Sequence, residues 1–255
     1  MKNKKERLNG IIETLRIEGN TNIDKLAAKF DVSTATIRRD IKLLESSGQV
    51  FQGMGGEIYY KKDYSGPSRE DMLIRAINEK IRIAEYCSTL VNEKETIMIA
   101  PGVITTLAGR ILGGLDFEFR VITNSLTLSL ELSKLENINL FILGGEIEKQ
   151  YSTITNFNRD PMCGIQYADK LFMTADGIDA EYGLTYFNAS MVPVINGMMT
   201  VAREIILIAD SSKFGNVCFN YLGDLSKINS IVTDEKLNKK YIKTIESEGI
   251  KIITV

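Results

Sequence analysis

STATIRRDIKLLE, residues 33–45, reads as an amphipathic helix with a cationic side. Ser33 is a good N-cap, with a hydroxyl that accepts from a free N–H of the first turn. Ile37, Ile41 and Leu44 recur at i, i+4 and i+7 and make one apolar stripe. Thr34, Thr36, Arg38, Arg39 and Lys42 lie off that stripe. Such a helix buries one side in its own domain and turns hydroxyls and cations outward, the groups that bind a phosphate backbone and base edges. Arg38 and Arg39 are adjacent and so project about 100° apart. One of them can reach a base edge while the other takes a phosphate, and the sequence leaves open which.

The flanking residues complete a pattern. Leu8, Ile11, Ile12 and Leu15 form a helical stripe that Gly19-Asn20 breaks. Asn22 can cap a second helix whose buried face is Ile23, Leu26, Ala27 and Phe30. A short Asp31-Val32 connection then leads into the Ser33 helix, which Gly48 ends. QVFQGMGGEIYY, residues 49–60, is a pair of β-forming stretches around a turn at Gly53 to Gly56, hence a hairpin wing. Two short helices joined by a tight turn, the second basic and followed by a wing, predict a winged helix-turn-helix over residues 1–60. The competing reading is a three-helix bundle with a solvated basic face, or a helix-turn-helix that binds protein. The basic helix, the turn and the wing together favour DNA. Ser33, Thr34, Thr36, Arg38, Arg39 and Lys42 are the candidate contacts.

Charge agrees with that division. The 255 residues carry 31 basic and 33 acidic side chains, a net charge of −2. Residues 1–62 hold 12 basic and 8 acidic residues, +4, which leaves 19 basic and 25 acidic, −6, for the remainder. A polyanion contact at one end only is the implication. The chain lacks histidine, the commonest general base and metal ligand, and no cofactor or metal site is expected. Cys87, Cys163 and Cys218 are far apart and read as reduced thiols of a cytoplasmic protein. MKNKKERLNG is not a signal peptide, and no apolar run approaches a bilayer-spanning length, so no membrane contact is expected.

KKDYSGPSRED is polar and carries Gly66-Pro67, which places a linker at 61–72 and a second domain at 73–255. A helix is predicted from about Glu70, with Leu73, Ile77, Ile81, Ala84 and Val91 on one side. After it come seven apolar runs: TIMIA (96–100), RVITN (120–124), NLFILGG (139–145), KLFMTADGI (170–178), EIILIADSS (204–212), SIVTD (230–234) and KIITV (251–255). Helix-like pieces, among them Ser125 to Lys134, Met191 to Ala202 and Glu235 to Glu248, lie between them. Near-continuous β-branched runs alternating with helices imply an α/β domain with a parallel sheet covered on both faces. Ligands on such sheets sit beyond the carboxyl ends of the strands.

Small and polar groups follow the runs: Pro101-Gly102-Val103-Ile104-Thr105-Thr106, then Thr123-Asn124-Ser125, Gly144-Gly145, Asp176-Gly177 and Asp210-Ser211-Ser212-Lys213-Phe214-Gly215. Helix-start N–H groups with hydroxyls and a lysine can hold an anion such as a phosphate. The candidate ligand residues are Gly102, Thr105, Asn124, Ser125, Gly145, Lys170, Asp176, Asp210 and Lys213. Well-made turns without a ligand are the plainer alternative.

VSTATIRRDIKLLESSG (32–48), the Gly55-Gly56 wing, RAINEKIRIAEYCSTLV (75–91), VITNSL (121–126), ILGGEI (142–147), ADKLFMTADGID (168–179), GLT (183–185) and ADSSKFG (209–215) occur in that order. Over nearly its whole length the chain resembles the DeoR-type bacterial transcriptional regulators. The resemblance implies a winged helix-turn-helix followed by a sensor domain similar to ribose-5-phosphate isomerase. It also implies repression of a carbohydrate operon under control of a phosphorylated sugar or related metabolite, and a homodimer or homotetramer on double-stranded operator DNA. The chain departs from the family after the first sensor strand. Asp-x-Gly-Thr-Thr-Thr is usual there, and Ala100-Pro101-Gly102-Val103-Ile104-Thr105 stands instead. In the wing, Gln52 and Met54 replace the usual Arg and His. Two alternatives stand beside this reading. One is an isomerase-like enzyme using Asp176, Asp210 or Lys213, although Ala100 removes one acid from the pocket; the other is a regulator with a vestigial pocket.

Overall fold

The computed structural model describes residues 4–46, 50–53, 56–60, 76–149, 151–155, 162 and 164–255. The chain divides into two compact units, Met1–Met72 and Leu73–Val255. The expected linker at 61–72, the helix start near Glu70, Gly48, the tip of the wing at 54–55 and Cys163 lie outside the described residues.

In the first unit α1 spans Lys4–Glu18, α2 Ile23–Phe30 and α3 Thr34–Ser46, with strands β1 at Asn20–Thr21, β2 at Val50–Gln52 and β3 at Ile58–Tyr60. The Asn22 side chain accepts from the Lys25 N–H at 2.9 Å and starts α2. Asp31, at φ 53°, ends it in the left-handed conformation that a tight turn requires. Ile11, Leu15, Leu26, Ile37, Ile41, Leu44, Val50 and Ile58 form one core, with Leu8, Ile12, Ile23 and Phe30 packed at its edge. Each helix supplies its apolar stripe to it. The wing is larger than its sequence suggests: β1 pairs with β3, which pairs with β2, all antiparallel. Asn20, read as part of a helix break, is also a strand residue, because the partner that makes it one lies far along the chain.

In the second unit the seven apolar runs are the seven strands of one parallel sheet: β4 (Thr96–Ile99), β5 (Phe119–Thr123), β6 (Ile138–Ile142), β9 (Ala168–Met173), β12 (Ala202–Ile208), β14 (Ser230–Thr233) and β15 (Lys251–Thr254). Their order across the sheet is β15-β14-β12-β9-β4-β5-β6. Alternate residues face opposite cores. Ile97, Ile99 and Phe172 join one core; Met98, Ala100, Leu171 and Met173 join the other. That two-sided burial is why the strands read as unbroken apolar runs. Helices α4 (Ile77–Ser88), α5 (Val103–Leu112), α6 (Leu126–Leu132), α7 (Met191–Val201) and α8 (Lys239–Ser247) accompany the strands. A hairpin of β7 (Glu146–Glu148) and β8 (Thr153–Thr155) is added, together with a small sheet of β10 (Gly177–Asp179), β11 (Gly183–Tyr186) and β13 (Asn220–Gly223).

The buried face of α4 differs from the expected one. Glu79, Lys80, Ile83, Ala84 and Cys87 are buried, while Ile81 is 38% exposed. Ala84 and Val91 are buried as expected, and Lys80 is buried beside its ion-pair partner Asp210.

The direction in which the chain crosses the sheet reverses between β4 and β9. From β4 the chain steps outward through β5 to β6, then returns to β9 on the other side and steps outward again. The crevice beyond the carboxyl ends at such a reversal is where open α/β sheets hold ligands.

Candidate functional site

The first candidate surface is the outer side of α3. Ile37 is wholly buried and Ile41 is 1% exposed, so the opposite side faces outward. Arg38, Arg39 and Lys42 are exposed there, and Thr34 and Thr36 are partly so. Ser33 Oγ accepts from the Thr36 N–H at 3.2 Å and lies 2.9 Å from Thr36 Oγ1, so both hydroxyls serve the start of the helix. Asp40, between the arginines and the apolar stripe, carries a role that helical spacing did not suggest. It is 2% exposed and accepts from Arg7 of α1. The outer side of α3 therefore holds cations without a neighbouring exposed carboxylate from Asp40 to neutralise them.

The second candidate surface lies at the carboxyl ends of β4, β5, β9 and β12. Gly102 begins α5 directly after β4. A Cβ there would fall 2.7 Å from Thr174 Cγ2 and 2.9 Å from Thr105 Oγ1, so a larger residue would press on the segment after β9. Thr105 is fully buried, and its hydroxyl donates to the Gly102 carbonyl at 3.1 Å; that of Thr106 does the same at 2.6 Å. Neither hydroxyl keeps its proton for an incoming anion. What the start of α5 offers is its first-turn N–H groups, which an α-helix leaves without partners of its own.

After β5, Asn124 is wholly buried. Its Nδ2 donates to the Ile154 carbonyl at 2.7 Å, which fixes the amide orientation, and its Oδ1 has no hydrogen-bond partner among the described residues. Ser125 caps α6 by accepting from the Leu128 N–H at 3.2 Å.

After β9, Asp176 accepts from the Phe187 N–H at 3.0 Å and lies 3.6 Å from Lys213 Nζ. Several groups gather around this carboxylate. Burial pushes the Tyr151 and Tyr186 hydroxyls well above their ordinary range, and the Asp176 charge adds to both shifts. Burial, again with Asp176, raises the Cys218 thiol to about 12, so it is no thiolate at neutral pH. The Tyr186 hydroxyl donates to the Thr174 carbonyl, and the Cys218 N–H donates to Thr185 Oγ1 at 2.9 Å. None of Tyr151, Thr174, Thr185 or Tyr186 was legible as a site residue. The signal available was their position next to strand ends.

Three expected ligand residues are placed differently. Lys170 pairs with Glu95, which precedes β4, so it lies at the amino ends of the strands, away from the crevice. Gly145 is an exposed turn residue at φ 150° leading β6 into β7. Asp210 is at the correct end, but its carboxylate is occupied. Oδ2 is 3.0 Å from Lys80 Nζ, and Oδ1 accepts from the N–H and hydroxyl of Ser212. Burial raises the Asp210 carboxyl, yet Lys80, the Ser212 hydroxyl and Lys213 together hold it below its ordinary value. Gly102, Asn124, Asp176 and Lys213 follow the carboxyl ends of β4, β5, β9 and β12.

Comparison with known proteins matches both units. Residues 7–63 match the DeoR-like helix-turn-helix domain, and residues 75–235 match the DeoR C terminal sensor domain. The lactose phosphotransferase system repressor of Lactococcus lactis is 30% identical, over 94% of this chain and 95% of its own. The deoxyribose operon repressor of Escherichia coli is 27% identical over 98% of each chain. Among solved structures, ribose 5-phosphate isomerase A of Methanocaldococcus jannaschii is similar at a TM-score of 0.41 and 17% identity, over 55% of each chain. Among the described residues, no helix is long and apolar enough to cross a membrane.

Proposed function

Because the chain belongs to the DeoR family of DNA-binding transcriptional regulators, we propose that it is a repressor of a carbohydrate-metabolism operon whose grip on its operator is set by a phosphorylated sugar or a close relative. The observation that carries this reading is the outer side of α3. Arg38, Arg39 and Lys42 stand exposed on a helix held rigidly from behind. In the proposed complex a homodimer or homotetramer in the cytoplasm places two such helices on half-sites about one helical turn, or a multiple of it, apart. The phosphate of the effector meets the first-turn N–H groups of α5 and the Lys213 ammonium, and the Asn124 Oδ1 accepts from one of its hydroxyls.

The reading is non-enzymatic. An isomerase passing through an enediol needs a carboxylate free to take a proton. Asp210 is in an ion pair with Lys80, and Asp176 is beside Lys213. Fluorescence anisotropy with the promoter DNA next to the protein's own coding region tests the proposal. Salt-sensitive binding that a sugar phosphate weakens or strengthens is expected. Absence of salt-sensitive binding to any duplex would remove it. Turnover of ribose 5-phosphate that Asp210→Ala abolishes would replace it with the enzyme reading.

A further inference from the structure

The first turn of α4 carries Glu79 and Lys80 side by side, and both are buried. A buried charge is costly unless it is paired, and apolar residues of similar size usually hold a core as well or better. What a directional ion pair adds is a fixed rotation and register. Here the partners lie on the two loops that follow β12 and β14.

The bonds close a ring. Lys80 Nζ is 3.0 Å from Asp210 Oδ2, with only 6% and 2% of the two side chains exposed. Asp210 opens the 3-10 turn Ser211–Lys213 and caps it through Ser212. The Ser211 N–H donates to Asp234 Oδ2 at 2.6 Å, and Asp234 Oδ1 accepts from the Lys236 N–H at 3.0 Å. The Lys236 ammonium returns to Glu79 in α4. The turn that carries Lys213 into the effector crevice is thus bonded on both sides to one turn of α4. The same helix packs against α5, whose start lines the crevice. In sequence, α4 is the first described element after the chain leaves the DNA-binding unit.

We infer that Lys80 is a coupling residue. A ligand that shifts the Lys213 turn shifts Asp210, and the Asp210–Lys80 pair carries that shift into α4, the first described element after the DNA-binding unit in sequence. An apolar contact at this place would let helix and turn slide independently. The ion pair makes them move together, which is what a coupling free energy between two sites requires. The inference rests on the effector reading given above.

The test uses the full chain, the promoter duplex, and ribose 5-phosphate, glucose 6-phosphate and inorganic phosphate as probes. Operator affinity is read by anisotropy and probe binding by calorimetry, for the natural protein, Lys80→Met and Lys80→Arg. The natural protein is expected to change operator affinity by about 5- to 150-fold on saturation with a sugar phosphate. Lys80→Met should keep operator affinity without ligand and keep sugar-phosphate binding, while that change falls to about one tenth or less of its size. Lys80→Arg should restore most of it. An undiminished response in a folded Lys80→Met protein overturns the inference and leaves the effector reading standing. No binding or response to any probe in the natural protein overturns both. If Lys80→Met fails to fold, hydrogen exchange on the natural protein decides. Ligand must alter exchange in residues 77–84 together with 210–214, and a change confined to 210–214 overturns the coupling.

Discussion

Arg7 of α1 holds Asp40 of α3 through two hydrogen bonds, Nε to Oδ2 at 2.6 Å and Nη2 to Oδ1 at 3.3 Å. Only 11% and 3% of the two side chains are exposed. The pair locks the middle of α3 to the first helix of its unit, and the carboxylate in turn raises the Arg7 guanidinium above its ordinary value. Asp40→Ala leaves a largely buried guanidinium without its partner. It is expected to cost the DNA-binding unit about 1–3 kcal/mol. Calorimetry of the full chain should show the transition of that unit lowered and that of the second unit unchanged. A variant melting with the natural protein would mean that the apolar core positions α3 unaided.

The cations on the outer side of α3 divide into two predicted behaviours. If Arg38 makes a bidentate base contact, Arg38→Ala weakens operator binding by about 1–3 kcal/mol and relaxes preference at one base pair. Lys42→Ala, as a phosphate contact, weakens all duplexes alike and lowers the salt slope by about 1. Titrations against operator and scrambled duplex over a salt series separate the two. Equal losses on both duplexes for Arg38→Ala would make it a phosphate contact and pass base reading to Arg39.

Much of this was legible in advance, for physical reasons that differ by element. The inner strands β4, β5, β9, β12 and β14 read as apolar runs because a strand covered on both faces has no room for polar alternation, while the edge strands β6 and β15 keep apolar residues that are partly exposed. The stripe of Ile37, Ile41 and Leu44 is buried as its spacing required. The short strands β7, β8, β10, β11 and β13 were not legible as strands, since three or four residues acquire strand character only from partners elsewhere in the chain. Glu79 and Lys80 were not named on the buried side of their helix, because charge normally means exposure, and their partners at 236 and 210 reverse that. Lys170 was misassigned although its place was readable: it opens its apolar run, and the opening of a parallel strand is the end away from the ligand.

Gly177 shows why Asp176 is followed by glycine. A Cβ there would lie 2.5 Å from the Asn216 carbonyl oxygen and 2.5 Å from Thr185 Oγ1. The obstacles include backbone, so Gly177→Ala must push the 216–218 segment away from β10. The expected cost is about 1–3 kcal/mol. The Thr185–Cys218 hydrogen bond should also weaken, opening further a partly exposed thiol that its surroundings now keep protonated. Faster labelling of Cys218 by a thiol reagent in the folded variant checks this, with Cys87→Ser and Cys163→Ser as background. Unchanged labelling and stability would show that the segment yields without cost.

The Lys80–Asp210 pair makes a signed prediction about acid. In the natural protein Asp210 is held below its ordinary value of 3.8 although burial opposes this. The folded state therefore binds the proton more weakly than the unfolded chain. The stability that this carboxylate supplies is fully present above its ordinary value and is lost as pH falls through the lower, folded one. In Lys80→Met the largest charge holding the carboxylate down is gone while its burial remains, so the balance is expected to reverse. The folded variant then takes up the proton more readily than the unfolded chain and regains stability as pH falls from neutrality. The difference between natural protein and variant should thus be largest near pH 7, at about 3–5 kcal/mol, and shrink toward pH 4. Urea denaturation of both proteins between pH 7 and pH 4, following the second unit, measures that difference. A gap that stays constant with pH would show that Lys80 contributes through packing, and that the charge of Asp210 is satisfied by Ser212 and Lys213 alone.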